Sequence, residues 1–273
     1  MRYHAALLVF LVGLWPAAPS AHDARPSVES GEFTRWAYAQ SQGAVGRQVQ
    51  DLTLRDVNGR SVTFAELRGR PLLVSFIYTS CEHTCPLITQ NLQRAVRAAQ
   101  GVLGPETFAV ATIGFDTRND TPVAMRQFAR AQGVDLPGWR FLSADSSVID
   151  RLSDDLGFVY YASARGFDHL AQVTLLDADG RVYRQIYGSA FDPPAVIEPL
   201  KELVLGGERS LFELSGLLDR FKLFCTYYDP LRDAYQADYG VIVSLIGMLT
   251  SFVAGLAYVL REWVRRRRLS ASG

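Results

Sequence analysis

The chain has 273 residues, 48% of them hydrophobic, with 28 basic and 28 acidic side chains and a formal net charge of zero at neutral pH. That balance argues against a nucleic-acid partner. No internal repeat or low-complexity tract interrupts a length suited to one globular domain with a sizeable core.

Residues 1–21 have the form of a secretory signal. Arg2 supplies the basic start, Ala5 to Trp15 an apolar core too short to cross a bilayer, and Ala18, Ser20 and Ala21 the small residues of a cleavage site. Export of a bacterial chain of this kind leads to the oxidising periplasm. Residues 22–48 read as a polar linker, and a folded domain is expected over residues 49–206.

Within that domain, Leu52–Leu54 and Ser61–Phe64 flank Asn58-Gly59, a strong hairpin-turn pair, and Thr63 with Glu66 makes a capping box. The run from Leu72 to Tyr78 is almost wholly apolar and predicts a strand buried on both faces. Cys81 and Cys85 follow, with Pro86 suited to the first helical position and Leu87, Ile88, Leu92, Ala95, Val96 and Ala99 recurring at helical spacing up to Gly101. Phe108 to Phe115 is a second apolar run, which completes a βαβ unit with parallel pairing. Beyond it the pattern predicts a helix from Thr121-Pro122 to about Gln132, a strand at Trp139–Leu142, a helix at Val148–Leu156 and a strand at Phe158–Tyr161. A hairpin, Gln172–Leu176 and Val182–Tyr187 around Asp179-Gly180, and a helix at Pro194–Leu205 close the domain. The order reads as α/β with a central mixed sheet.

Residues 207–238 form a juxtamembrane segment, in which Leu211, Phe212, Leu214, Leu217, Leu218 and Phe221 make an apolar stripe suited to a bilayer surface or to packing on the domain. Cys225, the odd third cysteine, reads either as a shielded thiol or as the source of an intermolecular disulfide. A transmembrane helix is expected over residues 239–261, because Val241 to Leu260 is twenty residues without a formal charge. Arg261 and Arg265 to Arg268 follow it, whereas Asp229, Arg232, Asp233 and Asp238 precede it, so residues 262–273 are expected to be a cytoplasmic tail. Gly247, Ser251 and Gly255 fall four apart on one helix face, a spacing that permits close pairing and hence a homodimer.

The chemistry concentrates at Cys81 and Cys85. Both sulfurs are expected at or just before a helix N-terminus, where unpaired N–H groups and the helix dipole favour the thiolate, the species that binds soft metals and attacks disulfides. A stabilising disulfide is the plainer reading, but a bridge enclosing only three residues stabilises little. A lone histidine such as His169 is, on residue type alone, more often a surface or core residue than a ligand. His83, between the cysteines, reads as a solvated loop residue with the option of auxiliary ligation, and His22 would lie near a mature N-terminus.

Taken together, Tyr78-Thr79-x-Cys81-x-x-x-Cys85-Pro86, Asp116-x-x-x-Asp120-Thr121-Pro122 and Asp168-His169 resemble the Sco/SenC family of copper chaperones over about Val49 to Leu205. The resemblance implies a thioredoxin-like fold and copper, Cu(I) or Cu(II), held by Cys81, Cys85 and His169. It further implies service in the assembly of the binuclear copper centre of cytochrome c oxidase, with the oxidase's copper-bearing subunit and a copper donor protein as partners. Two thiolates and an imidazole suit copper, and three ligands leave a position open for exchange. With only Met1, Met125 and Met248 present, a methionine-rich copper site is excluded. Glu82, Thr117 and Leu170 depart from the family's usual residues and remove no ligand.

A thiol-disulfide oxidoreductase or peroxide-reducing enzyme using Cys81 and Cys85 is the competing reading. Enzymes of the thioredoxin type resemble one another in a two-residue cysteine spacing and a proline before the late strand. Here three residues intervene, and Arg165 to Gln172 contains His169 and no proline.

Overall fold

The computed structural model describes residues 30–164, 166–206, 226–229, 234–237 and 239–270. The expected signal, the apolar stripe at 211–221, Cys225 and His22 lie outside these residues.

The first element corrects the sequence expectation. Residues 22–48 were expected as linker, yet Ser30–Gly43 is a helix, α1. Phe33, Ala37 and Ser41, spaced four apart, are buried, and Phe33 meets Tyr161 edge-on at 4.6 Å. The chain then forms β1 (Thr53–Asp56) and β2 (Ser61–Thr63), paired antiparallel across the turn at Gly59. The Thr63–Glu66 capping box is present, each residue's backbone N–H donating to the other's side chain ahead of a 3-10 turn at Ala65–Leu67.

The centre is β3 (Leu72–Ile77), α2 (Thr84–Leu103) and β4 (Ala109–Gly114), with β3 and β4 parallel and in register from Leu72 opposite Ala109 to Ile77 opposite Gly114. Every residue of β3 and β4 is buried because the sheet is covered on both faces. Leu73 and Val110 point to a core layer shared with Ile88, Leu92 and Val96 of α2. Leu72, Val74, Phe76, Ala111 and Ile113 point to the other layer.

That second layer is closed by α3 (Pro122–Ala131) and α4 (Ser146–Leu156), which contribute Met125, Phe128, Ile149 and Leu152. Thr121 caps α3, its hydroxyl accepting the Ala124 N–H at 3.2 Å. Between them β5 (Trp139–Ser143) pairs parallel with β4 and antiparallel with β1. Next comes a ribbon of β6 (Tyr160–Ser163) and β7 (Gly166–His169), then β8 (Gln172–Leu176), β9 (Val182–Tyr187) and α5 (Pro194–Gly206), which packs against α2. The seven-stranded mixed sheet runs β2-β1-β5-β4-β3-β8-β9, whereas β6 and β7 form a two-stranded sheet of their own.

Residues beyond the domain include a hairpin, β10 (Thr226–Asp229) and β11 (Ala234–Ala237), and a 32-residue helix α6, Tyr239–Ser270. The helix continues past residue 261, where the span was expected to end. Among the described residues no helix is long and apolar enough to cross a membrane.

Candidate metal centre

At the C-terminal end of β3 the chain turns, the Cys81 N–H donating to the Tyr78 carbonyl at 3.1 Å, and enters α2 at Thr84, three residues after Cys81. The helix starts at Thr84, so Pro86 sits third in it rather than first, and Cys85 lies inside the first turn. His83 occupies the cap position but supplies no side-chain hydrogen bond. The Cys81 sulfur does that work instead, accepting the otherwise unpaired Cys85 N–H at 3.3 Å. Neither cysteine is in a disulfide; Cys81 is half-buried and Cys85 fully buried.

The environment makes the two sulfurs unequal. The Cys85 S–H, the Cys85 and His83 backbone N–H groups and the Tyr78 hydroxyl all donate to Cys81, which pulls its pKa down to about 4 against the cost of burial. Donating to that neighbour, and being buried, pushes the Cys85 thiol up. Cys81 is therefore a thiolate at neutral pH and Cys85 a protonated thiol.

Alkylation gives a direct check. The rate at Cys81 should stay level from about pH 8 to pH 5 and fall only as the pH approaches 4, whereas an unperturbed thiol slows throughout that range. The sign follows for stability too. A depressed folded pKa contributes stability that is present above the unfolded value and lost as pH falls through the folded one. Mass spectrometry after iodoacetamide pulses should show label on Cys81 and none on buried Cys85; a rate that rises steadily up to pH 9 sinks the assignment.

His169 is the last residue of β7, opposite Tyr160. Its ring lies in an aromatic cluster, with centroids 5.5 Å from Phe115, 5.5 Å from Phe158 and 6.2 Å from Tyr78. Burial lowers its pKa, with the Leu170 carbonyl and the Cys81 thiolate acting in the opposite sense. The Nδ1 atom stands 2.9 Å from the Leu170 carbonyl oxygen. A carbonyl can only accept, so Nδ1 carries the proton, and in the neutral ring Nε2 keeps a free lone pair. Among the described residues no group of three or more His, Cys, Asp or Glu is gathered closely enough to hold a metal ion. The two sulfurs are together, and the Cys81 thiolate acts electrostatically on the imidazole.

Asp120 braces this arrangement, a role that its place in a motif did not reveal. Its side chain accepts the Thr79 N–H at 2.8 Å, the Thr79 hydroxyl at 2.7 Å and the Asp116 N–H at 2.8 Å. It thereby ties the loop after β4 to the residue two before Cys81. Burial raises its pKa even though three donors oppose the rise. The close approach requires Gly114, where a Cβ would stand 2.5 Å from the Asp120 Cβ and 2.7 Å from the Met125 sulfur.

The family model described as SCO1/SenC matches residues 41–205. The chain belongs to the SCO1/SenC family. A SCO1 protein homolog of Bacillus subtilis is 27% identical over 158 residues, covering 55% of this chain and 78% of its own. The solved structure of Bradyrhizobium japonicum ScoI with copper bound is 25% identical, with a TM-score of 0.50 over 57% of this chain and 99% of that one. BsSco, described as a member of the Sco family of cytochrome c oxidase assembly proteins, is 21% identical, with a TM-score of 0.52 over 58% of this chain and 94% of that one. The mixed α/β fold of this SCO1/SenC protein is thus the thioredoxin-like fold of its relatives.

Proposed function

We propose that this SCO1/SenC protein binds copper through Cys81, Cys85 and His169 and serves cytochrome c oxidase assembly as a membrane-tethered periplasmic chaperone. The observation that carries the reading is the paired sulfurs at the α2 N-terminus, one already a thiolate, facing a ribbon whose histidine keeps Nε2 free. Two sulfurs and an imidazole match the ligand preferences of both copper oxidation states. The relatives support it: the Bradyrhizobium protein carries copper in its crystal structure, and BsSco belongs to oxidase assembly proteins. Copper is cargo in this reading, released when a client thiolate competes for the ion at a site with few ligands.

The tether rests on the sequence of α6. Val241 to Leu260 carries no formal charge, Arg261 and Arg265 to Arg268 lie beyond it, and Val243, Ile246, Leu249, Phe252, Val253 and Leu256 stand exposed. A bilayer supplies the missing cover, with the domain in the periplasm and the C-terminus in the cytoplasm.

The inequality of the two thiols favours a second reading, a thiol-disulfide oxidoreductase in which Cys81 attacks and Cys85 resolves. The experiment separating the two is copper affinity of His169→Ala. Imidazole matters most to Cu(II), so Cu(II) affinity should fall roughly a hundredfold while Cu(I), held by two sulfurs, changes by less than about tenfold. Equal losses remove His169 from the site, and rapid insulin reduction with weak copper binding moves the protein to the enzyme reading.

A further inference from the structure

Tyr78 is buried between the turn that carries Cys81 and the ribbon that carries His169. Its hydroxyl donates to the Cys81 sulfur and accepts the backbone N–H of Phe167 on β7. The ring meets Phe167 at 5.2 Å and His169 at 6.2 Å, both edge-on. Room for the hydroxyl comes from Gly166, the first residue of β7, at φ 111°. A Cβ there would stand 2.8 Å from the Tyr78 oxygen and 3.2 Å from the ring. Glycine thus answers two demands at once, a backbone angle that L side chains rarely adopt and the close approach of a phenol.

The setting gives that contact a consequence. β6 and β7 pair only with each other among the described strands, so the backbone ladder of the central sheet does not fix the ribbon's height above the cysteines. Aromatic packing holds it, and such packing tolerates sliding because it is weakly directional. The Tyr78 hydroxyl is directional. It acts on both sides at once, on the ribbon backbone at Phe167, beside Gly166, and on the Cys81 sulfur.

We propose that the Tyr78 hydroxyl is the positioning group that registers the His169 ribbon against the Cys81 sulfur. Tyr78 is a positioning residue on this view, not a ligand. The proposal draws on the copper reading for only one of its two readouts. Removing the oxygen while keeping the ring, as in Tyr78→Phe, leaves the aromatic cluster filled and frees the Phe167 N–H. The ribbon then loses its register while the cysteine pair stays in place.

The test uses the full chain, reduced and metal-free, with Tyr78→Phe beside wild type. Amide hydrogen exchange at Phe167 should quicken by roughly tenfold or more in the variant, with the β3 amides of Val74 and Phe76 unchanged as a check on global stability. In the second readout, titration with the metal ion alone, Cu(II) affinity should fall roughly tenfold and Cu(I) affinity by less than about threefold. Gly166→Ala should reproduce both changes with the hydroxyl present, because its Cβ displaces the phenol; if that variant unfolds, Tyr78→Phe decides alone. Unchanged exchange at Phe167 overturns the proposal. So do equal losses for the two copper states, or none, since a hydroxyl acting only on the sulfur does not discriminate between them. If the wild type binds no copper, the chaperone reading fails and the exchange arm still decides.

Discussion

Cys81→Ser should abolish tight Cu(I) binding, lowering affinity by on the order of a thousandfold, which corresponds to roughly 4 kcal/mol. The size follows from what is lost. Cys81 is the sulfur already ionised at neutral pH, so it binds without first releasing a proton, and its removal leaves only the buried Cys85 thiol, whose pKa is raised. Serine is close in volume, and its oxygen can accept the Cys85 N–H in place of the sulfur, so the start of α2 is retained. Thermal melting within a few degrees of wild type should confirm that. Cys85→Ser should cost a similar factor by a different route. It removes one ligand sulfur but keeps a hydroxyl that can donate to Cys81, so the alkylation profile of Cys81 should stay close to that of wild type. Competition with a chromogenic Cu(I) chelator reads the affinity directly; a variant within tenfold of wild type would exclude the cysteine pair as the copper site.

The second large effect is on stability. Asp120→Ala should destabilise the folded domain by about 3 to 5 kcal/mol, because three donors, the Thr79 N–H, the Thr79 hydroxyl and the Asp116 N–H, lose a buried charged acceptor at once. Part of the loss is offset, since the carboxylate itself is costly to bury, as its raised pKa shows. That shift fixes the pH dependence. Stability from a group with a raised carboxyl pKa is greatest below the unfolded value of 3.8 and declines as pH rises towards the folded value. The margin of wild type over Asp120→Ala should therefore be wider in mild acid than at neutral pH. Urea unfolding at two pH values measures both the loss and its slope; a loss below 1 kcal/mol would mean that the loop before Cys81 is held by something other than this carboxylate.

Elements whose signal is local and strong were legible before any coordinates. The almost wholly apolar Leu72–Tyr78 run marks the central strand because burial on both faces erases alternation, and Asn58-Gly59 and Asp179-Gly180 mark their hairpins because few residue pairs accept those turn angles. The cysteine pair was legible for the same reason: its spacing and the helix behind it are contiguous in the chain. Helix α1 was not, because its buried face is built from Phe33, Ala37 and Ser41, in which alanine and serine give little hydropathy contrast, while the aromatic Tyr38 stands on the exposed side. The path of His169 was hidden as well. A short ribbon outside the main sheet is held by contacts with Tyr78 and Phe115, which lie far away in sequence. Asp120 and Tyr78 stood in recognised motifs, but their roles depend on distances across strands that periodicity does not encode.

The most direct test of the copper site is X-ray absorption at the copper edge, on the full chain loaded with one equivalent of copper in each oxidation state. Two sulfur neighbours in both states, with an added imidazole nitrogen for Cu(II) that disappears in His169→Ala, are expected. A first shell of nitrogen and oxygen alone would contradict the assignment and leave Cys81 and Cys85 as a thiol redox pair.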